Sequence, residues 1–234
     1  MAYYNRQETD NRLAGVRKIL ADKGLDAALV YFDELNVANG WYLTGWCGQF
    51  EKGAVLVPIK GEPILLGGPE SEPFAQMDSA ITKVRCFPVF MVPDEEYPNA
   101  TIIDFAQLNA ELKGEGTVLN RIGIVGTTTI PHQVYLDVQE GFKGAELVDI
   151  TEEYENMRAY KSPWEVEQAT KSVLLCDKAY DAMINAIRPG AHEYEVAAAG
   201  EAICRANGAN SFAYSTIVGS GARAKAVVLL HYTI

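Results

Sequence analysis

The residues best suited to chemistry lie near the end of the sequence, where a glycine-rich segment precedes a histidine. Gly219, Ser220 and Gly221 form a G-x-G segment whose backbone N–H groups could bind a ligand, although a lone G-x-G is also typical of a hairpin turn. His231 follows an apolar run, and imidazole can exchange a proton near neutral pH. A strand over this run would hold His231 rigidly near the loop. A buried core histidine explains the same pattern, and both interpretations stay open.

Other polar patterns have local structural explanations. His192-Glu193 matches the first half of an H-E-x-x-H zinc motif, but Val196 stands where the second histidine would be, so a helix cap is the better interpretation. Residues 126–129 follow a predicted strand but lack the pattern of a phosphate loop, and they predict an ordinary turn. His132 is expected at a helix start on the surface. Acidic groups at residues 94–96 and 152–153 are expected to be solvated.

A long helix is the element that leads into this segment. Ser162 and Glu165 form an S-x-x-E capping box, and Pro163 occupies the first helical position, where its missing N–H costs nothing. Apolar residues follow at three- and four-residue steps through 166–187, which predicts an amphipathic helix ending before Gly190. A second helix is predicted over residues 193–207, and strands over 212–218 and 226–232.

The residues before this helix alternate between strand and helix patterns, which favours an α/β domain with a mainly parallel or mixed sheet. Residues 41–46 are expected to lead into a loop. The predicted helices span residues 10–23, 70–77, 102–112 and 133–142, and the predicted strands span 25–31, 53–58, 63–66, 83–87, 121–125 and 146–148.

Composition excludes several function classes. The net charge is −11 and no basic stripe occurs, which argues against nucleic acid and anionic membrane surfaces as partners. The N-terminus has no apolar signal region, so the cytoplasm is the expected location. The four cysteines are widely spaced and are expected to be reduced core thiols: Cys47, Cys86, Cys176 and Cys204.

Together these motifs resemble the creatinase, prolidase and aminopeptidase P family of M24-type, pita-bread metallopeptidases. The resemblance covers nearly the whole chain. The motifs that carry it, in chain order, are Tyr42-Leu43-Thr44-Gly45, Arg158-x-x-Lys161-Ser162-x-x-Glu165, Ile187-Arg188-Pro189-Gly190, Tyr214 through Gly221, and Leu230-His231-Tyr232-Thr233.

The resemblance implies two domains. Residues 1–157 are expected to form the α/β N-terminal creatinase-like domain with a mixed sheet. Residues 158–234 are expected to form the start of an α+β pita-bread catalytic domain, incomplete and poorly closed.

The resemblance also assigns roles to residues. His231 is expected to be the catalytic residue, lining the active site and stabilising the intermediate, and His231 and Tyr232 are expected to contact substrate. The run from Gly221 to His231 is longer than the family's usual spacing, and His192 replaces the family's usual threonine. The family's metal ligands, two Asp, one His and two Glu, come later in the chain. The sequence is therefore expected to be truncated before them, and to bind neither a cofactor nor the two manganese, cobalt or zinc ions of the complete protein.

The implied function is hydrolysis of the bond before proline by an Xaa-Pro aminopeptidase or dipeptidase, with the present chain inactive alone. Two alternatives stay open: a non-catalytic binding or oligomerisation module, and a creatinase-like hydrolase of a C–N bond outside peptides. The implied partners are a peptide or small C–N substrate and a second copy in a homodimer.

Overall fold

The computed structural model describes residues 4–48, 50–93 and 97–225. The chain forms two compact units, Met1–Tyr160 and Lys161–Ile234. The domain boundary expected after residue 157 stays a prediction. Within the described ranges, no helix has the length and apolar content needed to cross a membrane.

The first unit is built on a six-stranded mixed sheet in the order β4-β3-β2-β1-β5-β6, which confirms the predicted fold class. β1 is antiparallel to β2, and β2 to β3, while the pairs β1–β5, β3–β4 and β5–β6 are parallel. The strands are β1 (Ala27–Phe32), β2 (Gly53–Pro58), β3 (Ile64–Gly67), β4 (Val84–Cys86), β5 (Arg121–Val125) and β6 (Glu146–Asp149).

Both faces of this sheet are covered, and every residue of the central strands β1 and β2 is buried. Alternate residues of a strand point to opposite faces. In β1, Leu29 and Tyr31 therefore join one core cluster, while Ala28 and Val30 join a second cluster on the other face. The unbroken apolar runs in the sequence follow from this double coverage.

Helices cover the two faces. They are α1 (Arg6–Lys23), α2 (Val37–Thr44), α3 (Glu72–Asp78), α4 (Phe105–Gly114), α5 (His132–Gly141) and α6 (Thr151–Ala159). The predicted end of α1 is confirmed, because Gly24 takes the left-handed conformation with φ 64°. Its predicted start is wrong, because Asn5 rather than residue 9 or 10 accepts from Glu8 N and caps the helix.

Two helices were not predicted. α2 covers Val37–Thr44, to which the sequence analysis assigned no element, and Gly40 in its middle lowers its helix propensity. The fold nevertheless needs that glycine, because a Cβ there would lie 2.4 Å from the ring of Phe32. α6 was missed because it is mainly polar. Its buried residue is Tyr154, whose hydroxyl donates to Asn39 O at 2.7 Å.

The second unit contains α7 (Pro163–Ala186) and α8 (Glu193–Ala206). The predicted capping box is confirmed, since Glu165 N donates to Ser162 Oγ at 3.1 Å and Ser162 N donates to Glu165 Oε2 at 2.9 Å. The two helices pack closely at Gly200, where a Cβ would lie 2.7 Å from Met183 Cγ.

Much of the apolar stripe of α7 is exposed. Among the described residues of this unit, the buried apolar side chains are those of Ala179, Val196 and Ala197, whereas Val173 and Tyr180 of α7 are 60% and 63% exposed. The strand predicted over residues 212–218 is wrong, because no described strand lies beside this segment to complete a hydrogen-bonded ladder. The strand predicted over 226–232 lies outside the described residues.

Candidate functional site

The described part of the site predicted from the sequence is the glycine loop and the short turn after it. Gly221–Lys225 forms a 3-10 helix that begins with Gly221 at φ 54°. His231 and Tyr232, the predicted catalytic and substrate-binding residues, lie outside the described residues, as do the acidic residues 94–96.

Glu193 anchors this loop to the start of α8. Its carboxylate Oε1 accepts from Ser220 N at 2.7 Å and lies 3.2 Å from the Ser220 hydroxyl. Its other oxygen lies 3.2 Å from Arg223 Nε, an ion pair without hydrogen-bond geometry. The Glu193 side chain is only 14% exposed, and its carboxylate contacts both the residue before the turn and Arg223 within it. The Ser220 N–H, which the sequence offered as a ligand donor, is therefore occupied by the protein's own carboxylate.

The cap of α8 keeps Glu193 in place. Glu195 Oε2 accepts from His192 N at 2.8 Å, and Glu195 Oε1 accepts from Arg188 at 2.7 Å. The hydrogen bond from His192 N and then the one from Arg188 hold the pKa of Glu195 below its ordinary value. The His192 ring stacks on Tyr194 with centroids 5.1 Å apart. The interpretation of His192 as a cap residue rather than part of a zinc motif is confirmed.

The other patterns singled out from the sequence belong to other elements of the fold. Residues 126–129 form an ordinary turn, as predicted, in which the backbone N–H groups of Gly126 and Thr127 donate to Thr151 Oγ1. His132 starts α5 and is exposed. All four cysteines are free, but the prediction of core thiols is wrong for Cys176, which is exposed on α7.

The described residues do not fit a metal site. Across residues 4–48, 50–93 and 97–225, no three His, Cys, Asp or Glu side chains come close enough together to hold an ion.

A mixed six-stranded α/β unit followed by a capped helix pair and a glycine loop defines a class of two-domain protein with a creatinase-type N-terminal domain. The chain belongs to the creatinase/prolidase family of M24 metallopeptidases. The model of the Creatinase/Prolidase N-terminal domain matches residues 12–160, and that of Metallopeptidase family M24 matches residues 167–234.

Individual relatives are distant. The chain is 25% identical to the uncharacterized peptidase YqhT of Bacillus subtilis over 212 residues, covering 91% of this chain and 54% of that protein. It is 33% identical to the Xaa-Pro dipeptidase of Pyrococcus furiosus over 102 residues, covering 44% of this chain and 29% of that one.

A solved structure shares the fold. The prolidase from Pyrococcus horikoshii OT3 superimposes with a TM-score of 0.67 at 23% identity, covering 91% of this chain and 53% of that one. The chain thus spans about half the length of YqhT and of this prolidase.

Proposed function

We propose that these residues form the N-terminal half of a metal-dependent peptidase that hydrolyses the bond before proline, as an Xaa-Pro aminopeptidase or dipeptidase. The observation that carries the proposal is the order of the two family matches, with the creatinase/prolidase domain followed directly by the M24 domain. The similarity to an Xaa-Pro dipeptidase at 33% identity supports this choice of substrate.

His231 is proposed as the catalytic residue that faces the substrate, with Tyr232 beside it in substrate binding. A positioned imidazole can donate a hydrogen bond to the oxyanion that develops during hydrolysis. The contacts of Glu193 with Ser220 and Arg223 fix the turn that comes before this segment in the sequence.

The complete protein is proposed to use two divalent ions, manganese, cobalt or zinc, held by residues other than those described. Such ions lower the pKa of a bound water and polarise the scissile carbonyl. The 234-residue chain alone is proposed to be inactive. A homodimer in the cytoplasm is also proposed, and the four free thiols suit a reducing compartment.

The test of the site uses the product of the complete reading frame. His231→Ala is expected to lower kcat/KM on an Ala-Pro substrate by about 10²-fold, the typical effect of removing an oxyanion donor, with unchanged metal content. His132→Ala is the matched control, because His132 is an exposed histidine at the start of α5. Wild-type activity in the His231 variant would refute this assignment.

A substrate panel separates the alternatives. Cleavage of Ala-Pro or Ala-Pro-Ala supports the peptidase, whereas turnover of creatine alone would indicate a hydrolase of C–N bonds outside peptides. A dimer that persists without metal and cleaves none of these substrates would instead indicate a non-catalytic binding or oligomerisation module.

A further inference from the structure

A cavity in the first unit lies between the loop that joins α2 to β2 and the two ends of α3. Its volume is about 280 Å³. Trp46 and Phe50 line it from the loop, and Phe74 lines it from α3. All of its described lining residues belong to the N-terminal unit.

The aromatic walls of this cavity are open to solvent. Phe50 is 70% exposed and Phe74 is 57% exposed, in a unit whose other phenylalanines at positions 32, 87, 90, 105 and 142 are almost fully buried. Phe50 also has a backbone φ of 67°, in the left-handed region that a bulky side chain rarely adopts. Two exposed rings therefore converge on one concave surface, which is typical of a binding site.

The polar part of the lining is acidic. Glu70 and Asp78 line the cavity from the two ends of α3, and none of the described lining residues is basic. Within the described part of the chain, neither carboxylate is paired with a basic side chain. Asp78 also ends its helix, where the helix dipole disfavours a negative charge.

Further carboxylates contribute to the negative potential. Burial, followed by the charges of Asp33 and Glu34, raises the pKa of the Cys47 thiol to about 11. Cys47 is itself a lining residue, so the charges of Asp33 and Glu34 act on a group in the cavity wall.

The walls are fixed relative to each other. Glu51, adjacent to Phe50, is only 2% exposed and its carboxylate accepts from Ser71 N at 2.7 Å and Glu70 N at 3.2 Å. Gly48 lies against the same turn, because a Cβ there would be 2.7 Å from Ser71 Oγ. The loop that carries the aromatic residues is thus held against the start of α3.

We propose that this cavity binds an organic cation, an alkylammonium or guanidinium group on an apolar stem, such as a lysine or arginine side chain of a peptide or a free amine of the same build. Trp46, Phe50 and Phe74 supply aromatic surface that can attract the cation and cover its stem. Glu70 and Asp78 supply the complementary charge. The contact with the stem favours charged and neutral ligands alike, whereas the carboxylates and the attraction of the rings for a positive charge favour the cation.

The test is a titration of the full 234-residue chain at low ionic strength, followed by calorimetry or ligand-observed NMR. The first pair of probes is n-butylguanidinium and its neutral isostere n-butylurea. The second pair is acetyl-Gly-Arg-Gly-amide and the same peptide with citrulline. Each cation is expected to bind about tenfold more tightly than its neutral isostere, since the isosteres differ in charge rather than shape.

Variants locate the site. The double variant Glu70→Gln/Asp78→Asn is expected to remove the preference for the cation, and Phe74→Ala to weaken binding of both members of a pair. Both carboxylates and Phe74 are exposed, so these changes leave the fold intact. Glu62→Gln is the matched control, because it removes one exposed carboxylate at the opposite end of β2.

The outcomes are distinct. Tighter binding of the arginine peptide than of n-butylguanidinium supports a peptide ligand, and the reverse order supports a free organic cation. Equal affinity for charged and neutral probes would refute the proposal. A preference for cations that survives the double variant would refute it as well. None of these results depends on hydrolysis, so failure here leaves the proposed peptidase function untouched.

Discussion

Removal of the Glu193 carboxylate should release the glycine loop from α8. Glu193 lies at the first position of this helix, and its Oε1 accepts the Ser220 N–H at 2.7 Å. Glu193→Ala removes the acceptor altogether. Glu193→Gln keeps a neutral oxygen in the same place and removes the charge, which gives a graded pair of perturbations.

The magnitude follows from the geometry. A hydrogen bond to a charged group contributes about 1.5–3 kcal/mol, and the lower end applies because Ser220 is exposed. A loss of about 1.5 kcal/mol corresponds to roughly tenfold faster exchange of the Ser220 amide in Glu193→Ala, because 1.4 kcal/mol is a factor of ten. Charged hydrogen bonds are about twice as strong as neutral ones, so Glu193→Gln should accelerate exchange roughly threefold.

The assay is hydrogen exchange resolved at single amides. The amide of Val196 reports whether α8 itself frays, and the amides of α1 report the first unit. Glu201→Ala is the control, because Glu201 lies on α8 outside the contacts with Ser220 and Arg223. Unchanged exchange at Ser220 in both Glu193 variants, or equal acceleration along all of α8, would refute the anchoring role.

Three further results are expected for stability. Gly141→Ala should lower the free energy of unfolding by about 2 kcal/mol, because the new Cβ would lie 2.6 Å from the Phe105 backbone carbon. Gly114→Ala at the end of α4 meets open space and should raise the free energy of unfolding by about 0.5 kcal/mol. Urea titration measures both changes, and equal shifts in the two variants would contradict the packing of α4 on α5. Ser162→Ala should lower the stability of α7 by about 1 kcal/mol, because it removes the side-chain cap of this helix. Thermal melting of the helix signal measures this loss, and Ser162→Asp, which keeps a capping oxygen, is expected to restore the stability. Burial raises the pKa of Asp33, but hydrogen bonds from Asn36 and Tyr31 outweigh this effect, so the pKa lies below its ordinary value. The ionised Asp33 therefore stabilises the fold above the unfolded pKa, and this contribution is lost as the pH falls through the folded pKa. Asp33→Asn should therefore flatten the loss of urea resistance as the pH falls below the ordinary pKa of an aspartate, and a wild-type slope in that variant would contradict the assignment.

Much of the fold could be predicted because its signals are local. The α7 cap uses Ser162 and Glu165, three residues apart, and β5 is an apolar run bounded by turn residues. α2 could not be predicted, because Gly40 disfavours a helix locally. The reason for a glycine there is the close approach of the Phe32 ring, which belongs to another element. The strand expected at residues 212–218 failed for the same kind of reason, since a strand forms only beside a neighbour that the local pattern cannot supply.

The site was predictable only in part. The sequence indicated the glycine loop, but not that Glu193 accepts the Ser220 N–H, because the two residues are 27 positions apart. An acidic residue at the first position of α8 also has a sufficient local explanation in the helix dipole. The cavity at Trp46 gave no sequence signal either, since its walls come from a loop and both ends of a short helix.

The most direct test of the central claim compares the 234-residue chain with the product of the complete reading frame in an Xaa-Pro hydrolysis assay with manganese or cobalt. The complete product is expected to cleave Ala-Pro substrates and to lose this activity on chelation, while the 234-residue chain releases no proline. Tight binding of two metal ions and hydrolysis by the purified chain of verified mass would contradict the account, as would a complete product that binds metal but cleaves no Xaa-Pro bond.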